Sequence, residues 1–137
     1  MVDTIRAHSA IQVLFADNTT GAISEQDLRD NVESTLGVVP FVAKTASYIA
    51  TEDDEVINCD ATSAPVTITL PAVATTRVGK KYLIIKSDVS VNAVIADGDG
   101  GELLNGATTK QTTTRYSGIE CINTGAAWIA NAVTGAA

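Results

Sequence analysis

Aromatic residues make up only 4% of this 137-residue chain, with one Trp, three Tyr and two Phe. Its hydrophobic share of 45% is therefore carried by small and aliphatic side chains such as Ala and Val. Such a core buries little area per residue, and burial contributes only about 25 cal/mol per Å². A domain with a thin core gains burial by associating with copies of itself. Histidine is almost absent. His8 stands in the N-terminal segment with no Cys, Asp or Glu at ligand or triad spacing, which leaves Ser-His-Asp and Cys-His chemistry without its base. Basic residues are scarce as well: nine against sixteen acidic give a formal charge of −7. Tracking a nucleic-acid backbone needs Lys and Arg to displace counterions, so no nucleic-acid partner is expected. No run reaches the ~18 apolar residues of a membrane span, and MVDTIRAHSA lacks the apolar core of a signal peptide, so neither membrane insertion nor secretion is expected.

Cysteine occurs twice, at Cys59 (INCDA) and Cys121 (IECIN), each in an apolar strand-like run. The pair reads as two buried thiols in a reducing compartment, with a disulfide as the alternative, and the spacing excludes a CxxC redox or zinc motif. GxGxxG, GxSxG and phosphate-loop patterns are missing, and the glycines fall at turns. No cofactor, metal or catalytic residue is expected, and the chain is read as a non-enzyme.

What is present divides into three parts. Residues 1–20 form an N-terminal arm carrying Ile5, Ile11, Val13, Leu14 and Phe15. The stretch HSAIQVLF suits a short strand or a helical turn equally. An apolar arm of this length has no core of its own and needs a partner surface. Residues 21–44 hold one short helix and an extended linker. Ser24 is the N-cap, Asp27 sits at N3, Ile23 and Leu28 occupy the staple positions, and Gly37 closes the helix. Its apolar seam is Leu28, Val32 and Leu36, narrower than a helix lying on a broad core requires. It fits symmetry mates around a threefold axis, a shallow groove, or its own domain. Pro40 then biases the linker to extended geometry.

Residues 45–137 change to period two, with VTITL (66–70) the clearest example. Strands are expected at 46–50, 55–60, 66–70, 81–86, 93–96, 110–114, 118–123 and 127–132. Eight short strands with short connections predict a mainly β fold: an antiparallel β-sandwich, jelly-roll-like or barrel-like. Asp97-Gly-Asp-Gly-Gly-Glu102 offers three carboxylates in a glycine-rich loop, a calcium-type composition without the EF-hand order, and reads otherwise as a hairpin turn. Glu52-Asp-Asp-Glu55 reads as a solvated charge run. A glycosidase carboxylate pair is not favoured, because sugar platforms of Trp and Tyr are few. Trp128, Tyr48, Tyr82 and Tyr116 are read as core or interface residues.

Taken in order, Tyr48, Asp54, Val56-Ile57, VTITLP (66–71), Gly79, Tyr82, IIKSD (84–88), Asn92 to Ile95, Glu102, Gly106, Gly125 and Trp128 resemble a small β-module of bacteriophage fibres and virion appendages. FADNTTGAISEQDLRD (15–30) resembles the segment that precedes such modules in phage fibre and head-appendage proteins. The resemblance implies a homotrimeric structural protein of a phage particle, exposed on its exterior. Chain length and the lack of repeats point to a head decoration or short head fibre. Its arm (Ile5, Ile11, Val13, Leu14, Phe15) would grip the major capsid protein or another virion protein, with Leu28, Val32 and Leu36 shared between subunits. The alternative is a tail-fibre or baseplate module that binds a host-surface glycan.

Overall fold

The computed structural model describes residues 39–134. The chain divides into two units, Met1–Pro40 and Phe41–Ala137. The described residues belong almost wholly to the second. The arm residues Ile5, Ile11, Val13, Leu14 and Phe15, His8, and the helix seam Leu28, Val32 and Leu36 lie outside the described residues.

The described part is mainly β. Nine strands run in order: β1 (Phe41–Lys44), β2 (Tyr48–Ile49), β3 (Val56–Cys59), β4 (Val66–Thr69), β5 (Lys81–Lys86), β6 (Val94–Asp97), β7 (Thr109–Thr112), β8 (Gly118–Asn123) and β9 (Trp128–Val133). They form a five-stranded sheet ordered β1-β3-β5-β8-β9 and a four-stranded sheet ordered β2-β4-β6-β7. Sandwich layering holds, because inward residues of both sheets share one core cluster.

The antiparallel expectation does not hold, since both sheets are mixed. In the first sheet β1, β3 and β5 are parallel, and β5-β8-β9 are antiparallel. In the second, β2, β4 and β6 are parallel and β6-β7 antiparallel. The reason is the route of the chain. From β1 to β6 it crosses to the opposite sheet after every strand, so each strand pairs with the strand two places on, running in the same direction. A short connection at a sandwich edge therefore passes between sheets instead of making a hairpin. From β6 onward it turns back on itself, and β7, β8 and β9 close the body with antiparallel pairs. Phe41–Lys44, expected in the linker, is strand β1, in register with β3 from Phe41 opposite Val56 to Lys44 opposite Cys59.

Alternation sets which side of each strand is buried. In β4, Val66 and Ile68 are fully buried while Thr67 and Thr69 face out. In β5, Tyr82, Ile84 and Lys86 point inward and Leu83 and Ile85 outward. Tyr82 and Trp128 anchor the core, with ring centroids 5.6 Å apart and planes tilted by 58°, an arrangement that favours aromatic pairs. Asn105 and Gly106 both have positive φ, 49° and 80°, between Leu104 and Ala107, which exchange backbone hydrogen bonds. That is the Asn-Gly turn in which both central residues must adopt left-handed geometry.

Candidate functional site

The polar side chains form four clusters, each growing out of a strand end. The most buried surrounds Lys86. Its position in the KYLIIK alternation forces it inward with Tyr82 and Ile84, and it is completely buried. Nζ donates to Asp88 Oδ1 at 2.5 Å and to Ser90 Oγ at 3.2 Å. Asp88 Oδ2 accepts from the Ala61 N–H at 2.7 Å, and Oδ1 also accepts from Ser90 N–H. Ser90 Oγ and Asn92 Nδ2 both donate to the Ala61 carbonyl. Burial acts to raise the Asp88 carboxyl's pKa. The Lys86 ammonium, Ser90 and the backbone N–H groups outweigh it and hold the carboxyl well below the usual range. The cluster ties the β3–β4 crossing to the β5–β6 crossing. It holds one cation and one anion, spent on each other, on the Ser90 hydroxyl and, for Asp88, on backbone N–H groups.

Asn123 is the second centre. Its Nδ2 donates to the carbonyls of Val73 and Thr76, and its Oδ1 accepts from Gly125 N–H. Its backbone carbonyl accepts from Gly79 N–H, where φ of 83° requires glycine. The long β4–β5 crossing is thus pinned to the end of β8. Glu102 joins it from the other side, because its carboxylate accepts from Val73 N–H at 2.9 and 3.1 Å. The calcium-type composition of Asp97–Glu102 is therefore built as a turn with Glu102 facing protein backbone. Among the described residues no three of His, Cys, Asp and Glu converge as metal ligands.

The acidic run 52–55 is the third centre, and it makes specific contacts beyond a solvated face. Asp54 Oδ2 accepts from Thr51 N–H, Thr51 Oγ1 and Tyr48 Oη. Glu52 accepts from Arg77 N–H, and Glu55 lies 3.9 Å from Lys80 Nζ. Tyr82 Oη donates to the Thr51 carbonyl, and burial raises the Tyr82 phenol. The acids close the β2–β3 turn over the β4–β5 crossing.

The fourth feature is a cleft of about 460 Å³ between the edge strand β7 and the β8–β9 hairpin. Lys110, Gln111, Thr112, Ser117, Asn131 and Val133 are among its walls. Thr112 and Ser117 hydroxyls are hydrogen-bonded to each other. Asn105 closes one end, its amide exchanging two hydrogen bonds with Ala130 as a paired strand would.

Cys59 and Cys121 are buried free thiols. Cys59 pairs with Lys86, and Cys121 with Tyr82, which sets them two strands and four residues apart, about 16 Å. A disulfide needs Cα atoms within about 7 Å. Burial pushes both thiols up to about 12. Trp128 and Tyr82 lie in the core as expected, Tyr48 packs against it half-buried, and Tyr116 is exposed beside Arg115.

Lys86 and Asp88 entered the sequence reading only within IIKSD (84–88), and no role was read there for Asn105, Asn123 or the cleft. Period two marks KYLIIK as a strand and leaves its faces undecided, since Lys81, Leu83 and Ile85 match Tyr82, Ile84 and Lys86 in character; the carboxylate partner of Lys86 stands only two residues away. No comparable signal marks the cleft, since it joins residues from three strands. No protein-family model matches the chain, and no curated protein matches it. Among the described residues no helix is long and apolar enough to cross a membrane.

Proposed function

We propose that this chain is a non-enzymatic structural protein of a bacteriophage particle, a homotrimeric head decoration or short head fibre. It is attached through its N-terminal arm to the major capsid protein or another virion protein on the exterior. One observation carries the reading. The residues on which the resemblance to phage β-modules rests coincide with the residues that build this body. Tyr48 and Asp54 bond to each other across the β2–β3 turn, and Val66, Ile68 and Leu70 fill the core. Gly79, Gly106 and Gly125 hold positive φ, and Trp128 meets Tyr82. Such a set specifies a scaffold, in keeping with a function performed by shape and association. The test is incorporation. Deleting residues 1–20 is expected to abolish assembly into particles while the β body stays folded, and unchanged incorporation would overturn the attachment role. Electron microscopy of labelled particles distinguishes head from tail.

A second reading, a tail-fibre or baseplate module that binds a host-surface glycan, is favoured by the cleft. Its hydroxyl, amide and ammonium lining at β7 and β9 is chemistry that hydrogen-bonds sugars. A glycan array probed with the full chain discriminates: binding lost in Lys110→Ala supports it, and an array without binding removes it.

A further inference from the structure

The two sheets differ on their outer faces. On the four-stranded sheet the outward positions include Thr67, Thr69, Asp97, Thr109 and Gln111, a polar surface broken by Ile49 and Ile95. On the five-stranded sheet they include Phe41, Val56, Leu83, Ile85, Ile122 and Ile129, drawn from all five strands. Register joins them. Phe41, Val56 and Leu83 are successive partners across β1, β3 and β5, and Ile122 stands directly opposite Ile129. Phe41 is 64% exposed, Ile129 44% and Val133, on the same edge, 39%.

We propose that this outer face is the contact between copies of the chain. Two observations select a second copy as the occupant. The first is charge. The chain carries −7, yet the face holds one cation, Lys81, and one anion, Glu120, on adjacent strands. Neither makes an ion pair within the described residues. A face built for a basic partner would concentrate the acidic excess. A face that meets its own kind must exclude that excess, and here Lys81 of one copy is available to Glu120 of the next. The second is area. Five strands about 4.8 Å apart and about five residues long span roughly 400 Å² in plane. Three such faces turned toward a threefold axis, with side-chain relief, together bury on the order of 1,000 Å², the lower bound of a specific interface. The inference rests on the homotrimer reading for the number of copies only, and it places the contact in the β body.

Sedimentation velocity on the full chain at micromolar concentration tests it, with thermal unfolding as the control for folding. The wild type is expected to sediment as an oligomer. Ile85→Glu/Ile129→Glu is expected to sediment as a folded monomer, and Thr67→Glu/Thr109→Glu on the opposite sheet to keep the oligomer. Lys81→Glu changes only a surface charge and is expected to weaken association at least tenfold, with recovery when Glu120→Lys is added. It decides the question even if the double glutamate variant does not fold. A monomeric wild type overturns the proposal. So do oligomers unaffected by Lys81→Glu and by the double glutamate variant. Trimers that survive these substitutions and still join particles overturn this contact while leaving the proposed function standing. Folded oligomers that never join particles do the reverse.

Discussion

Lys86 and Asp88 form an ion pair closed at 2.5 Å with side chains 0% and 5% exposed. They stand two residues apart, at the point where β5 leaves its sheet. Asp88→Ala leaves the ammonium buried without its counter-charge and frees the Ala61 N–H. Removing one partner of a buried pair costs about 3–5 kcal/mol. The urea midpoint of Asp88→Ala is therefore expected to fall steeply, and a shift equivalent to under 1 kcal/mol would contradict the assigned role.

The same carboxylate sets an acid limb on stability. Its folded pKa is held below its unfolded value near 3.9, so the folded state keeps the proton off where the unfolded chain takes it up. The stabilisation is complete above about pH 5 and declines as pH falls through 4 and below. Urea midpoints measured from pH 7 to pH 2.5 are expected to be flat at first and then drop. In Asp88→Asn this part of the acid drop disappears.

Asn123 holds the β4–β5 crossing through two hydrogen bonds of its side-chain amide and accepts a third from Gly125 N–H in the following turn. Asn123→Ala strands two buried carbonyls, which costs about 2 kcal/mol. It should also open the crossing locally. Trypsin is expected to nick the variant after Arg77 or Lys80 well before the wild type, followed by mass spectrometry of the fragments.

Neither thiol is reactive in the folded state, because both are buried and their pKa values are pushed up to about 12. A thiol reagent at pH 8 is expected to label no cysteine in native protein and both in denaturant. A native Cys59–Cys121 disulfide under oxidant would contradict the register.

Gly118 lies where β8 crosses close to β5. A Cβ there would stand 2.5 Å from the Ile84 carbonyl oxygen, so Gly118→Ala must push two central strands apart. Overpacking of this kind costs about 1–3 kcal/mol, and calorimetry is expected to show a lower Tm with the fold retained.

Eight of the nine strands were legible in the sequence because side-chain alternation is a local property. VTITL declares its buried face without reference to any neighbour, KYLIIK declares a strand with two equivalent faces, and Asn105-Gly106 declares its turn through the backbone geometry it permits. Strand β1 was not legible: FVAK reads as linker until β3 supplies the parallel partner that pairs it. Strand direction was not legible either, because crossing to the opposite sheet and turning back as a hairpin use connections of similar length and composition. Only the placement of both sheets decides between them. The same holds for the polar clusters. The sequence determined that Asp97–Glu102 holds a glycine-rich connection and that residues 52–55 are a charged one. It took tertiary structure to give Lys86 its place between Asp88 and Ser90, to turn Glu102 onto Val73, and to bring Phe41, Val56, Leu83, Ile85, Ile122 and Ile129 from five strands onto one face. Alternation is fixed by the two-residue repeat of the strand, whereas a contact between residues distant in sequence exists only once the chain has chosen its sheet.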